Sequence, residues 1–173
     1  MTSVILAERI AAISASQTAN IPESVRQMLQ RVTLDAYGLM FSARNTDYIQ
    51  AIKSSCIDNG NSTAFGHGSR FTMQDAALIN GTAIHGEDFD DTFEGTPVHV
   101  SSVIVPTILA IAERDDISPD TFIKSMAFGA ELICRLALVA PTAVHRQGFH
   151  PTAILGAFGA SLTASVAYGL SPQ

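Results

Sequence analysis

The chain has 173 residues, 47% of them apolar and 15% charged, with a formal charge of −6. That length is enough for one domain with a real core, and the composition excludes a disordered polymer. Lys53 and Lys124 are its lysines, no basic patch is available for phosphates, and nucleic-acid binding is therefore excluded as a function class.

A small anionic ligand stays open, because helix ends and histidines can outweigh the global charge locally. Cys56 and Cys134 are far apart and form no CxxC pair, so they read as buried thiols, with no disulfide framework, zinc cluster or iron–sulfur cluster. Glu8 and Arg9 interrupt the apolar N-terminal run that a signal peptide would need. The longest apolar stretch, 98–112, contains His99 and Pro106 and is too short to span a bilayer. The expected location is the cytoplasm.

Helical periodicity runs through the chain. Leu6, Ile10 and Ile13 share one face of a first helix, with Thr2 or Ser3 as its N-cap. Pro22 opens a second helix, whose stripe is Val25, Met28, Leu29, Val32, Ala36, Leu39 and Met40. A third helix is expected over 48–58, ended by the Asn59-Gly60-Asn61 turn. The stretch 62–71 is glycine-rich and irregular, with Ala64-Phe65 as a short extended piece. Thr72 to Asp75 resembles a capping box and starts a helix that runs to about His85. An acidic turn follows over 86–100. Ser101 or Ser102 then caps a helix over 103–113, with Pro106 near its first turn. Ser118-Pro119-Asp120 starts another, whose apolar face is Ile123, Met126, Ala127, Ala130, Ile133 and Ala137, and Pro141 closes it.

Pro151 opens the last helix. Its apolar stripe is Ile154, Phe158, Leu162 and Val166, beside a stripe of small residues, Ala153, Gly156, Ala157, Ala160 and Ala164. Small faces let helix backbones approach closely, which marks this helix as central to the bundle or to an oligomer contact. Gly169 is its C′ residue. Ser171-Pro172 repeats the helix-start chemistry of Ser118-Pro119 just before Gln173, so the sequence is expected to be cut from something longer. The expected architecture is an all-α helical bundle, a single domain over 1–173.

Two segments carry the chemistry. One runs from His85 through Glu87, Asp88, Asp90 and Asp91 to Thr92, and on to His99, Ser101 and Ser102. The other runs from His145 and Arg146 to His150, Pro151 and Thr152. Four carboxylates within five positions repel one another, and need a cation, hydrogen-bond donors or protonation. An exposed acidic loop is the plain alternative. A calcium loop starting at Asp88 would want glycine where Phe93 stands. Phe89 and Phe93 interrupt the charges, so the segment is expected to be partly buried.

His99 and His150 each precede a helix start. A helix N-terminus attracts a carboxylate and disfavours imidazolium, so a neutral histidine there can take a proton. For one such histidine an N-cap or core hydrogen bond is the plainer role, and two beside an acidic turn shift the balance towards a site. Arg146 could clamp a substrate carboxylate in bidentate fashion. His67 is expected in a loop, and His145 is ambiguous. No P-loop, dinucleotide fingerprint, HExxH or GxSxG motif is present.

These segments resemble the MmgE/PrpD family, which includes 2-methylcitrate dehydratase, cis-aconitate decarboxylase and iminodisuccinate epimerase. The resemblance lies in Asn80-Gly81-Thr82-Ala83-Ile84-His85 running into Asp88-Phe89-Asp90-Asp91-Thr92, then in His99 and Ser101-Ser102 before Val105-Pro106. It continues in Gly148-Phe149-His150-Pro151-Thr152 and Gly156 to Ala160. Val100 stands where many relatives have proline.

The resemblance implies a large helical domain plus a smaller α+β lid domain, of which this chain would supply the first part of the helical domain without the lid. It places catalytic or substrate-contacting roles on Asp88, Thr92, His99 and His150. The resulting assignment is His99, His150 and Asp88 to catalysis, and Thr92, Asp91 and Arg146 to substrate binding. It implies proton removal next to a carboxylate on a small di- or tricarboxylate, with no metal and no organic cofactor.

A hydro-lyase like 2-methylcitrate dehydratase is the leading expectation, with decarboxylase-like and epimerase-like enzymes as alternatives. A non-catalytic helical fragment, a subunit needing a second chain to complete the site, and a calcium-binding module compete with it. The high apolar fraction predicts exposed hydrophobic surface and self-association as a homodimer.

Overall fold

The structure is a computed structural model that describes residues 5–16 and 20–171. Helices dominate it. In chain order the elements are α1 (Leu6–Ser16), α2 (Glu23–Ala43), α3 (Asp47–Ser55), β1 (Ser62–Thr63), β2 (Arg70–Phe71), α4 (Met73–His85), α5 (Ser101–Asp115), α6 (Pro119–Val139), α7 (Ala143–Arg146) and α8 (Pro151–Ala167). The all-α expectation holds. The glycine-rich stretch is a two-stranded antiparallel hairpin that pairs Ser62 with Phe71 and Thr63 with Arg70. Its strands flank the expected Ala64-Phe65 piece.

Helix α5 is the centre. Nine of its fifteen residues are buried, from Ser101 to Ile111, so it is enclosed on nearly all sides rather than striped. It packs against α4, α8, α6 and α2. Two glycines set how closely its neighbours lie. Pro106 has no N–H to donate to the Ser102 carbonyl, and a Cβ on Gly81 of α4 would stand 3.0 Å from that carbonyl. On the other flank, a Cβ on Gly156 of α8 would stand 2.8 Å from Val103. These close approaches bring three helix ends together: the C-terminus of α4 and the N-termini of α5 and α8.

The starts of α4 and α6 follow the local sequence. The Thr72 hydroxyl accepts the Asp75 N–H, and the Ser118 hydroxyl accepts the Thr121 N–H. Pro22 is the N-cap of α2, one position before its expected place. The expected caps Thr2 and Ser3, and the repeated start at Pro172, lie outside the described residues.

The start of α5 differs from expectation. Ser101 is already helical, and neither serine caps it; the Asp91 carboxylate accepts the Ser101 N–H at 3.0 Å. The cap is supplied from ten residues away, which no local pattern reveals.

Helix α8 also differs. Ile154 and Phe158 of the expected apolar stripe are exposed, and the buried positions are Pro151, Thr152, Gly156, Gly159 and Thr163. The reason is the close crossing with α6 at Gly129 and Gly159, where large side chains have no room. The Leu6–Ile13 face of α1 is likewise largely exposed, although Ser14 is buried. Gly169 does adopt the left-handed conformation after α8, with φ at +59°.

Asp116, the residue after α5, also has a left-handed backbone, with φ at +48° and its N–H on the Ala112 carbonyl. Left-handed backbone costs an L-residue about 1 kcal/mol, partly offset in glycine by greater unfolded-state entropy. Asp116→Gly is therefore expected to stabilise the chain by about 0.5 kcal/mol, raising Tm by roughly 1–2 °C in a thermal melt.

No helix among the described residues is long and apolar enough to cross a membrane.

Candidate active site

Where the three helix ends meet, three imidazoles gather around one buried carboxylate. Asp90 has a fully buried side chain. His85 Nδ1 lies 3.1 Å from both of its oxygens. His99 Nδ1 lies 3.0 Å from Asp90 Oδ1, a close approach that falls short of a hydrogen bond. His99 Nε2 lies 3.4 Å from Asp88 Oδ1. His85 Nε2 meets His150 Nε2 at 3.2 Å. Ring centroids are 4.7 Å apart for His85–His99 and 5.1 Å for His85–His150.

Each position has a local origin. His85 occupies the last turn of α4, one turn beyond Gly81 on the same face. The turn after it folds Asp90 back onto the ring. Gly86 makes that turn possible, because a Cβ there would stand 2.6 Å from the Tyr48 ring. His150 is the N-cap residue of α8 and makes no side-chain cap hydrogen bond, so its ring is free for other contacts. The His99 N–H donates to Thr152 Oγ1 at 3.0 Å, which joins the acidic segment to the start of α8.

The acidic run resolves into separate partnerships. Glu87 accepts the Tyr48 hydroxyl at 3.0 Å, Asp88 approaches His99, Asp90 faces two imidazoles, and Asp91 holds the start of α5. Repulsion within the run is thus met by a donor group for each carboxylate. Phe93 packs against the core as expected, whereas Phe89 is exposed. Asp88 has a left-handed backbone, with φ at +58°. Strain of this kind gathers where a side chain must be aimed, and it accompanies the approach of Asp88 to His99.

His85, Asp88, Asp90 and His99 have donor atoms within 4.8 Å of one another. That spacing would suit a divalent cation. The ring nitrogens, however, already stand against carboxylate oxygens, so the four side chains answer one another's charge as an acid–base cluster.

A cleft of about 620 Å³ opens beside the cluster between α4, α5 and α8. His85, His150 and Thr152 are polar contacts on an otherwise largely apolar wall that includes Leu78, Pro106 and Ala157. His99 and Asp88 do not line this cleft and adjoin it through His85. Another cleft of about 500 Å³, between α1, α6 and α8, has no imidazole or carboxylate in its wall.

The structure brings His99, His150 and Asp88 into one cluster. Asp91 is placed as a helix cap beside it. Thr92 and Arg146 are both exposed, Arg146 on the short helix α7, and neither belongs to the wall of the cleft. Sequence reasoning did not assign His85 and Asp90. The available signal was a histidine at a helix C-terminus five residues before an aspartate, across a turn.

The His150 pKa is lowered from the ordinary histidine value. Burial is the largest cause, followed by the charges of His85 and His99 and a smaller push from His145, with Asp88 opposing them. A lowered folded-state pKa means that the unfolded chain binds more protons between that value and about 6.5. Stability from this group is complete above about pH 6.5 and is lost as pH falls through the folded value. His150→Gln is expected to flatten the rise of Tm with pH across that window, as read in melts at successive pH values.

Residues 6–173 match the family model of the MmgE/PrpD N-terminal domain. The chain is 32% identical over 169 residues to the human (Homo sapiens) cis-aconitate decarboxylase, an alignment covering 92% of this chain and 35% of that protein. It is 27% identical over 161 residues to the Mus musculus cis-aconitate decarboxylase, covering 88% and 33%. It is 24% identical over 172 residues to the cis-aconitate decarboxylase-like protein oryM of Aspergillus oryzae, covering 93% and 36%. The chain thus spans about a third of the length of these relatives. With the family model matched along nearly its whole length and the imidazole–carboxylate cluster at the junction of its helices, this chain belongs to the MmgE/PrpD family.

Proposed function

We propose that this chain supplies the acid–base part of an active site that moves a proton at a carbon next to a carboxylate, in a small di- or tricarboxylate. The observation that carries the reading is the contact of His150, on the cleft wall, with His85 and through it with buried Asp90 and with His99. An imidazole that is neutral near pH 7 can accept a proton and return it. The N-terminus of α8 beside it favours a carboxylate in the same cleft.

Family membership and the names of the relatives favour a decarboxylase-like lyase acting on cis-aconitate. A 2-methylcitrate dehydratase-like hydro-lyase is the second reading, supported by the same cluster, since either reaction needs one imidazole to hold and release a proton. In the first, a C–C bond breaks, its electron pair stays on carbon as CO2 leaves, and a protonated imidazole of the cluster delivers a proton to that carbon. In the second, a C–H and a C–O bond break and water leaves. Thr92 and Arg146 complete the proposal as carboxylate contacts, His99 and Asp88 as the flanking acid–base pair.

A cytoplasmic location and a homodimer, or a second chain completing the site, belong to the same proposal. Exposed Phe149, Ile154 and Phe158 support burial against another surface. The test is to offer the protein cis-aconitate, 2-methylcitrate and iminodisuccinate in parallel, following CO2 release and the products by NMR. Turnover of cis-aconitate with CO2 release is the expected result. Failure to turn over any of the three acids would overturn the proposal.

A further inference from the structure

We propose that Asp90 and His85 are positioning residues that decide which ring nitrogen of His150 is free to act as the base. The idea rests on the acid–base reading of the cluster, and its test does not require substrate.

As a carboxylate, Asp90 only accepts hydrogen bonds. Its oxygens face His85 Nδ1, so that nitrogen carries the hydrogen. In a neutral His85 the other nitrogen, Nε2, is then a bare acceptor. It stands 3.2 Å from His150 Nε2, a contact that needs one hydrogen between the two nitrogens. His150 must supply it, which leaves His150 Nδ1 as the bare, basic nitrogen. A buried carboxylate thereby sets, through one intervening imidazole, the tautomer of a residue on the cleft wall.

The same chain can pass a proton. When His150 Nδ1 takes a proton from carbon, the C–H electron pair stays on the substrate. The hydrogen on His150 Nε2 can then move to His85 Nε2. His85 becomes an imidazolium held against Asp90, and His150 is neutral again, now with its hydrogen on Nδ1. Return of the substrate proton reverses both transfers. His99 faces the same carboxylate from the acidic segment, and Asp88 faces His99. The groups acting electrostatically on His150 are therefore His85 from α4, His99 and Asp88 from the segment after it, and His145 from α7.

The decisive variant is Asp90→Asn. An asparagine whose carbonyl faces His85 Nδ1 accepts as the carboxylate does, so the spectrum must also read the amide orientation. One whose amide NH2 faces that nitrogen donates there and moves the His85 hydrogen to Nε2. His85 then donates to His150, and His150 is left with its hydrogen on Nδ1. Long-range proton–nitrogen NMR of the imidazoles reads this directly. The expected wild-type pattern is a bare Nδ1 on His150, inverted to a protonated Nδ1 in Asp90→Asn. Asp90→Glu should restore the wild-type pattern. In His85→Ala the His150 tautomer should no longer respond to Asp90→Asn, and the His150 pKa should rise, because the neighbouring imidazole that competes with it for the proton is gone.

Where Asp90→Asn does not fold, His85→Ala alone carries the test; an unchanged His150 titration there overturns the proposal. So does a His150 tautomer that stays the same in a folded Asp90→Asn whose amide donates to His85. With active enzyme, Asp90→Asn should lower kcat roughly 10- to 100-fold with little change in KM. Tautomer inversion without turnover of any acid would leave this inference standing and remove the proposed function. Turnover without inversion would do the reverse.

Discussion

His150→Ala is expected to lower turnover of the acid substrate at least ~100-fold while the fold survives. His150 lines the cleft, touches the ring of His85, and has a pKa held below the ordinary histidine range by burial and by the neighbouring imidazoles. It is therefore neutral at about pH 7, the form that takes a proton from carbon in the dehydratase-like reading; in the decarboxylase-like reading it gives carbon a proton and draws its replacement from His85. The structural cost of removing it is small, because it makes no side-chain cap hydrogen bond to α8 and Pro151 still sets the first turn. A circular-dichroism melt should place the variant within about 1 kcal/mol of wild type. A wild-type rate in a folded His150→Ala would remove this residue from the chemistry. The neighbouring exposed His145, which affects His150 only through its charge, provides the contrast: His145→Ala should change the rate by less than about threefold.

The largest effect on stability is expected at the crossing of α6 and α8. Gly129→Ala adds a single methyl group that would stand 2.0 Å from Thr163 Oγ1, 3.1 Å from the Gly159 carbonyl and 3.2 Å from Ile104. Thr163 is fully buried and cannot swing into solvent. The helices must separate, and overpacking of this kind costs about 2–3 kcal/mol. For a chain of this size, Tm should fall by about 5–10 °C. Gly159→Ala meets Ile133 at 2.3 Å from the opposite helix and should behave similarly. Retention of the wild-type melting point by both variants would show that the two helices do not rely on close backbone contact. Because α8 also carries Thr152 and follows directly from His150, a shift of this helix should reach the site, lowering activity in the variant that remains folded.

Capping is a contact within one turn, so the starts of α4 and α6 are legible in Thr72 and Ser118 with their partners three residues on. His150 before Pro151 marks the start of α8, and the left-handed Gly169 marks its end. The clustering of His99, His150 and Asp88 follows from helix starts beside an acidic turn, and from a family resemblance that the match over residues 6–173 bears out. Local patterns fail where a neighbour from elsewhere in the chain decides the outcome. The apolar pair Ile154 and Phe158 predicts one inner face for α8, yet the inner face is Thr152, Gly156, Gly159 and Thr163.

Sequence by itself determined what depends on a few adjacent residues: the helical class, most helix boundaries, and the concentration of histidines and carboxylates in two segments. Tertiary structure alone decided how those groups pair. Asp90 stands in the same acidic run as Asp88 and Asp91, and becomes the shared partner of two imidazoles because Gly81 and Gly156 let α4 and α8 close on the start of α5. Pairing at about 3 Å is set by helix-to-helix distance, and that distance depends on which residues from separate helices lack a side chain where they cross.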